Sequence, residues 1–529
     1  MKRIFIVLLG LVVLTACNGF LTEEPKSEMS VDQFFTNPTH AYNAVNILYR
    51  SGCTDFYRTG VYSGSRAMLG GYISGLFDND YKGQEVHVQH CQDLTLNGDN
   101  LSAYFDGAWD ACYDAISKAN FLINNISQTP GLTDLEINNL TAQAKFFRAF
   151  NYYYLVKTFG NVPLILEEYS SLENIYVERS PSIQVYFQIV EDLKFAVEQA
   201  VEQGGLNDVA MPKNEFRISK GSAATLLADV YLNMGGYPVL ENRYANAASI
   251  TREIISSGNY SLITNGTTNN KSAFNIMRQS DNKDEYMYSI EYNSSISSSY
   301  WQPSICYPSE ATSWGIFKYS VTNNAYKPTN EFLWIYDDEK DLRIQEKQFF
   351  HSSLTYLENE IEITKTFETA PYLWHDDDAL FETGKTDKDI VVYRYAEVLL
   401  IAAEAIAKTE GVTPEAIGYL ADVRSRAYWQ TERNVIVDEL TGLSEDDFIQ
   451  QVWTERLREF SLEYKIWSDV QRTRKYPVTR ETNKGTVSFV DVVGHTTIWG
   501  KLFNEKHLLF PISENERQRN PKLTQNPGY

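Results

Sequence analysis

Two histidines three residues apart with a thiol beside them, His87-Val88-Gln89-His90-Cys91, stand at a spacing that a metal ion tolerates. No fourth ligand is nearby, so ordinary structural roles are the simpler reading and no metal site is expected. Asp376-Asp377-Asp378 and Asp78-Asn79-Asp80 carry the oxygen ligands that Ca²⁺ takes, although short acidic runs are usually solvated surface. Gly384-Lys385-Thr386 has the end of a phosphate-binding loop, but Ala379 stands where its first glycine is required. The chain has no G-x-S-x-G, H-E-x-x-H or C-x-x-C. Carboxylate pairs for glycoside hydrolysis are defined by separation in space, and 69 acidic residues supply too many pairs for the sequence to choose among. The expectation is a protein that binds without a cofactor and without chemistry.

Composition narrows what it binds. The net charge is −22, a field that repels nucleic acid, whose affinity comes from Lys and Arg neutralising phosphates. The same field disfavours docking on anionic lipid through a basic surface. Aromatic residues reach 13%, led by 35 Tyr. A tyrosine suits half-wet positions, where its ring packs and its hydroxyl stays hydrated.

Lys2 and Arg3 precede an apolar run, Ile4 to Leu14, too short for a bilayer, which needs about 20 residues. It reads as the core of a secretory signal peptide. Leu14-Thr15-Ala16-Cys17 then resembles the lipobox of bacterial lipoproteins, in which the cysteine is lipidated and becomes the new N-terminus. Each acyl CH₂ buried contributes about 0.8 kcal/mol, so two or more chains hold such a protein stably on a membrane. Of the other cysteines, Cys53, Cys91, Cys112 and Cys306, any of three pairings or none is compatible with the sequence.

The elements that must position any site are mostly helical. Ser30-Val31-Asp32-Gln33 has capping-box form and predicts a helix to about Arg50, and Thr133-Asp134-Leu135-Glu136 predicts one ending at Phe159. Ser180-Pro181 and Thr413-Pro414 place a hydroxyl before a proline at a helix start. In 391–408, Tyr395, Val398, Leu399, Ala402 and Ile406 form one stripe, opposite Arg394, Glu397, Glu404 and Lys408. Two helix pairs, 219–234 with 244–257 and 393–408 with 414–427, carry small residues that permit close approach, and their length resembles a tetratricopeptide repeat. Between 259 and 390 helical periodicity fades, Asn, Ser and Thr are dense, and runs such as Tyr286-Met287-Tyr288-Ser289-Ile290 predict short strands. The expected organisation is a signal peptide (1–16), a helical region (17–258), a loop-rich insertion (259–390) and a second helical region (391–529). The fold class is mainly α.

Four stretches together resemble the SusD/RagB family of nutrient-binding surface lipoproteins. The first is Cys17-Asn18-Gly19-Phe20-Leu21-Thr22-Glu23-Glu24-Pro25 with Phe34-Phe35. The second is Ala144-Lys145-Phe146-Phe147-Arg148-Ala149 with Tyr152-Tyr153-Tyr154-Leu155-Val156 and Phe159-Gly160-Asn161-Val162-Pro163-Leu164. The third runs Tyr393-Arg394-Tyr395-Ala396-Glu397-Val398-Leu399-Leu400, Ala403-Glu404-Ala405 and Val423-Arg424-Ser425-Arg426-Ala427. Last come Glu455-Arg456-Leu457-Arg458-Glu459-Phe460, Trp467-Ser468-Asp469-Val470 and the terminal Asn520 to Tyr529. Tyr464-Lys465 departs from the Gly-His or Gly-Lys of many relatives. The resemblance implies a helical frame, a variable ligand-binding half and a SusC-like TonB-dependent β-barrel as partner. It further implies an outer-membrane, surface-exposed body that passes an oligosaccharide to that barrel; a RagB-like peptide binder or a secreted glycoside hydrolase are the alternatives. Arg148, Arg394, Glu397 and Glu404 are expected to pair with neighbouring elements and not to touch ligand.

A sugar offers a face of C–H groups and a rim of hydroxyls, which call for flat rings and for amide or carboxylate partners. Two regions supply both. Gly70 to Tyr81 is glycine-rich, hence expected as a loop, with Tyr72, Phe77, Asp78, Asn79 and Tyr81 as candidates. Tyr292 to Trp314 contributes Tyr292, Tyr300, Trp301 and Trp314, of which the adjacent pair Tyr300-Trp301 is the leading expectation.

Overall fold

A computed structural model of the chain describes residues 35–55, 69–83, 85–100, 102–168, 175–296, 307–318 and 324–529. The signal peptide, Cys17 and the Ser30 capping box lie outside them, as do Tyr300, Trp301 and Cys306.

Ten longer helices build the frame. They are α1 (Pro38–Leu48), α2 (Ser102–Asn125), α3 (Asp134–Phe159), α4 (Ser182–Glu198), α5 (Lys220–Met234), α6 (Tyr244–Ser257), α7 (Tyr395–Glu410), α8 (Pro414–Ala427), α9 (Glu445–Glu459) and α10 (Ile466–Thr473). The first begins at Pro38, with Asn37 capping the His40 N–H at 3.3 Å. A proline has no N–H to lose at the first helical position, and it disfavours helical geometry in the residue before it, which sets the start there. The Thr133–Glu136 capping box forms as the sequence predicts, and Gly160 ends α3 at φ +73°.

From α2 to α8 each helix packs on the next, and α6 touches both α5 and α7. The two helix pairs are therefore neighbours in space although the insertion separates them in sequence. Arg252 of α6 ties them, donating to Glu410 at 2.8 Å and to Glu415 at 2.6 Å. Ala223, Ala224, Ala402 and Ala403 are all buried at these contacts, as the small-residue pattern requires. The charged side of α7 is not solvated. Glu397 receives Arg456 and Lys465 (3.2 and 2.8 Å), and Glu404 receives Arg472 at 2.7 Å. Arg148 likewise pairs with Asp192 at 2.7 Å.

The strands form small antiparallel pairs. The named strands are β1 (Phe77–Asp78), β2 (Tyr286–Ile290), β3 (Lys327–Pro328), β4 (Phe350–Glu358), β5 (Ile361–Pro371), β6 (Ile390–Arg394), β7 (Lys475–Val478) and β8 (Ser488–Asp491). They pair β1–β3, β2–β6, β4–β5 and β7–β8. The β2–β6 pair joins the two ends of the insertion, and every β2 side chain is buried. Strands β4 and β5 make a protruding arm whose turn residues, Asn359 and Glu360, sit at φ +51° and +69°. Positive φ at both central positions matches the twist of hairpin strands.

One expectation is corrected. Gly70 and Gly71 belong to a buried helical turn, Leu69–Ser74, and not to a loop. Their role is close approach: a Cβ on Gly71 would stand 2.3 Å from the Tyr326 ring, and one on Gly70 2.8 Å from Trp467. Overpacking of this kind typically costs about 1–3 kcal/mol. Gly71→Ala is expected to lower the urea midpoint accordingly. Gly83→Ala, which meets nothing within 4 Å, should leave it unchanged.

Candidate functional site

The two sequence regions that offered rings and polar groups converge, but the side chains that reach the surface are mostly others. Backbone pairing of β1 with β3 sets Phe77 opposite Pro328 and Asp78 opposite Lys327. The turn after β1 is held by its own side chains. Asn79 donates to Glu85 at 2.8 Å and accepts the Tyr81 N–H at 2.8 Å. Asp78 accepts Gln92 at 2.8 Å and pairs with Lys82 at 3.1 Å. The Lys82 ammonium lies 4.5 Å from the ring centre of Trp499, a half-buried residue of the C-terminal segment.

Asp80 connects this turn to the insertion. Its carboxylate accepts the Ser309 N–H at the start of the short helix Ser309–Trp314, and Lys327 lies 3.5 Å away. Burial pushes the Asp80 carboxyl up, while Lys327 and the Ser309 N–H pull it back. Burial pulls Lys327 down, but its bonds to Glu368 and Asp80 outweigh this and hold it above the usual lysine value. Asp80, Lys327 and Glu368 therefore form a charged rim.

Beside the rim is an aromatic face. Trp314, Phe317, Phe367 and Phe381 are each half-buried and pack around the buried Tyr307. Trp314 stands 5.8 Å from Phe367 and 6.2 Å from Phe317, which stacks on Phe381 at 5.7 Å. Beneath them, His375 bonds Asp377 at 2.8 Å through Nε2 and the Tyr307 hydroxyl at 2.8 Å through Nδ1. A carboxylate only accepts, so Nε2 carries the proton and Nδ1 accepts from Tyr307. Burial holds His375 and the neighbouring His351 below the ordinary histidine range, with Asp377 opposing it for His375. A neutral relay thus fixes Tyr307, and Tyr307 fixes the face above it.

Among the nine predicted binding residues, Trp314 lies on this face and Tyr81 and Asp78 lie half-buried on the adjoining turn. Tyr72 and Phe77 have no exposed surface and Asn79 has 1%, so these three form the wall behind the site and cannot touch a ligand in this conformation. Tyr292 is buried under the Arg50 guanidinium, 4.5 Å from its ring, with its N–H on Asp389 at 2.7 Å. Tyr300 and Trp301 lie outside the described residues. Sequence reasoning missed Phe317, Phe367, Phe381, Lys327 and Glu368. Only Phe367 carried a local signal, the alternation of Ile361, Ile363, Lys365 and Phe367 along β5.

His87 and Cys91 are buried on the short helix Val86–Gln92, and burial takes His87 down to about 4. Among the described residues no group of three His, Cys, Asp or Glu side chains is placed to hold a metal ion. Asp377 is engaged by His375, and Asp376 accepts the Ala379 N–H at 3.1 Å. Cys53 and Cys91 are free and buried, and Cys112 is buried. Among the described residues no helix is long and apolar enough to cross a membrane.

Fold and site together define a helical-repeat frame that presents an aromatic, charge-rimmed surface from a non-repetitive insertion. The model of the SusD family matches residues 345–529, and a second, described as "Starch-binding associating with outer membrane", matches residues 20–232. A SusD superfamily protein from Parabacteroides distasonis superposes with a TM-score of 0.80 at 28% identity, covering 95% of this chain and 100% of that one. SusD-like protein P2 of Formosa agariphila is 26% identical over 502 residues, 89% of this chain and 90% of its own. A laminarin-binding SusD-like protein shares the fold with a TM-score of 0.68 at 20% identity, over 93% of this chain and 100% of its own. The chain belongs to the SusD/RagB family.

Proposed function

We propose that this chain is a surface lipoprotein that binds an oligosaccharide or polysaccharide and delivers it, without breaking bonds, to a SusC-like TonB-dependent transporter in the outer membrane. The observation that carries this is the half-exposed face of Trp314, Phe317, Phe367 and Phe381 beside Asp80, Lys327 and Glu368. Flat rings meet the C–H face of a sugar and the charged rim meets its hydroxyls. Tyr81 at the rim and the pair Tyr300-Trp301, just before Tyr307 in the chain, are proposed to add to it. Support comes from relatives described as laminarin-binding and as surface glycan-binding protein A of Bacteroides uniformis. In this reading lipid on Cys17 anchors the body, residues 17–258 and 391–529 are the frame, and 259–390 carries the ligand face.

The test is titration calorimetry of the full-length protein against a glycan panel. Trp314→Ala is expected to weaken the cognate glycan by about 1–2 kcal/mol, roughly 5- to 30-fold, with the melting temperature nearly unchanged. Trp301→Ala should cost at least ~1 kcal/mol. Unchanged affinity in both variants would remove the aromatic face from binding. Product formed faster than in buffer would replace the binding role with a hydrolase, and co-purification of a β-barrel tests delivery.

A peptide ligand is the second reading, favoured by the β4–β5 arm. It is a two-stranded sheet with outer edges open to strand addition and with Leu357 and Ile361 exposed near its tip. Saturable heat from extended peptides and none from glycans would select it.

A further inference from the structure

On the other side of the arm's base lies a cleft of about 260 Å³ that the aromatic face does not use. Three segments enclose it: the short helix Asn330–Leu333 with Trp334, the start of β4 with the end of β5, and the loop that carries Lys484. Its floor is apolar, from Leu333, Ile344 and Phe350, and Trp334 gives it one flat wall. Its mouth is polar, with Asn330, Ser352 and Thr369. The side chains of Asn330 and Thr369 make no hydrogen bond to any other described residue and are available to a ligand.

Charge and size limit what fits. Asp338 and Lys484 neutralise each other at 2.5 Å. Glu346 remains, and its two oxygens are occupied by the N–H and hydroxyl groups of Ser352 and Ser353, at 2.7–3.2 Å for the best four bonds. That carboxylate fixes the bulge of β4, and its negative charge disfavours an anionic guest. Sites for drug-sized ligands run to about 300–1,000 Å³, so this cleft holds a single ring and not a chain. An apolar floor, one flat aromatic wall and neutral hydrogen-bonding groups at the mouth match one uncharged polyhydroxylated ring.

We infer that the cleft between the Asn330–Leu333 helix, the base of the β4–β5 arm and Lys484 is a second binding site, for one neutral sugar ring. The inference rests on the glycan reading above. It gives the protein two separate subsites, an aromatic face for a chain and a cleft for a terminal or branching residue.

The experiment is saturation-transfer NMR and calorimetry on the full-length protein with D-glucose, D-galactose, N-acetyl-D-glucosamine and D-glucuronate, and with the cognate polymer. At least one neutral monosaccharide is expected to bind saturably, and glucuronate more weakly. Thr369→Trp, which plugs the cleft, should reduce monosaccharide affinity more than 10-fold. Asn330→Ala, an exposed position with no structural bond to lose, should reduce it several-fold with an unchanged melting temperature. Trp314→Ala should leave monosaccharide affinity intact while weakening the polymer. The inference is overturned if the polymer binds but no neutral monosaccharide does, if glucuronate binds best, or if Asn330→Ala and folded Thr369→Trp both bind like the wild type. It is equally overturned if Trp314→Ala abolishes monosaccharide binding. If no glycan of any length binds, the glycan reading itself fails and the inference with it.

Discussion

Glu459→Ala is expected to destabilise the protein by about 3–5 kcal/mol, the range for breaking a buried ion pair by removing one partner. Glu459 has no exposed surface, and its carboxylate takes Arg343 at 3.0 Å, Arg394 at 2.9 Å and Arg426 at 2.5 Å. These arginines have other partners. Arg343 is held by Asp341 at 2.8 Å and Glu455 at 2.9 Å, and Glu285 takes both Arg394 and Arg426 at 2.6 Å. Burial alone would push Arg343 and Arg394 down, yet the surrounding carboxylates keep both well above the usual arginine value. Removing Glu459 leaves three buried guanidiniums sharing the remaining acids, and the cost is the desolvation that is no longer offset. The network also crosses elements: Glu459 is on α9, Arg426 on α8, Arg394 at the end of β6, and Arg343 within the insertion. The variant should therefore loosen the insertion against the frame and weaken ligand binding as well as lowering the urea midpoint. A loss below 1 kcal/mol would mean that the arginines find solvent or new partners, and the network would not be what fixes the insertion.

The same residues explain how much was legible beforehand. Helix starts are local events, so Thr133 with Glu136 and Thr413 with Pro414 could be read from four consecutive residues, and both cap as expected. Glu397 and Glu404 also read correctly as structural, because charges inside the alanine-rich α7 need partners. The aromatic face had no comparable signal. Trp314, Phe367 and Phe381 come from three segments, and only long-range packing makes them neighbours. Glycine misled in one place. Gly70 and Gly71 signalled a flexible turn, but their missing side chains serve Trp467 and Tyr326, both distant in sequence. Tyr464 is the converse case. It holds φ +63°, where many relatives were expected to carry glycine, and its ring packs on Tyr326 and Trp374 at 5.5 and 5.7 Å. A departure from a family pattern thus marked an aromatic column.

That column decides the last prediction. Phe77 stacks on Tyr326 with ring centres 3.8 Å apart and planes 17° from parallel, and meets Phe332 at 4.5 Å. Tyr326 passes the contact on to Trp374 and Tyr464. Phe77→Ala removes a ring with no exposed surface from this stack, and large-to-small changes of that kind cost about 3–5 kcal/mol through lost transfer energy and the cavity left behind. Denaturant titration should show the full loss, and Phe77→Leu should recover much of it, because volume-conserving apolar swaps usually cost under about 1.5 kcal/mol. Were Phe77 a ligand platform, the opposite pattern would appear: an intact midpoint and weakened glycan binding in both variants. A small binding defect is still expected in Phe77→Ala. Phe77 lies in β1, three residues before Asp80, and Asp80 positions the Ser309–Trp314 helix through the Ser309 N–H. The ratio of stability loss to affinity loss therefore separates a residue that supports the aromatic face from one that belongs to it, and Trp314→Ala should show the reverse ratio.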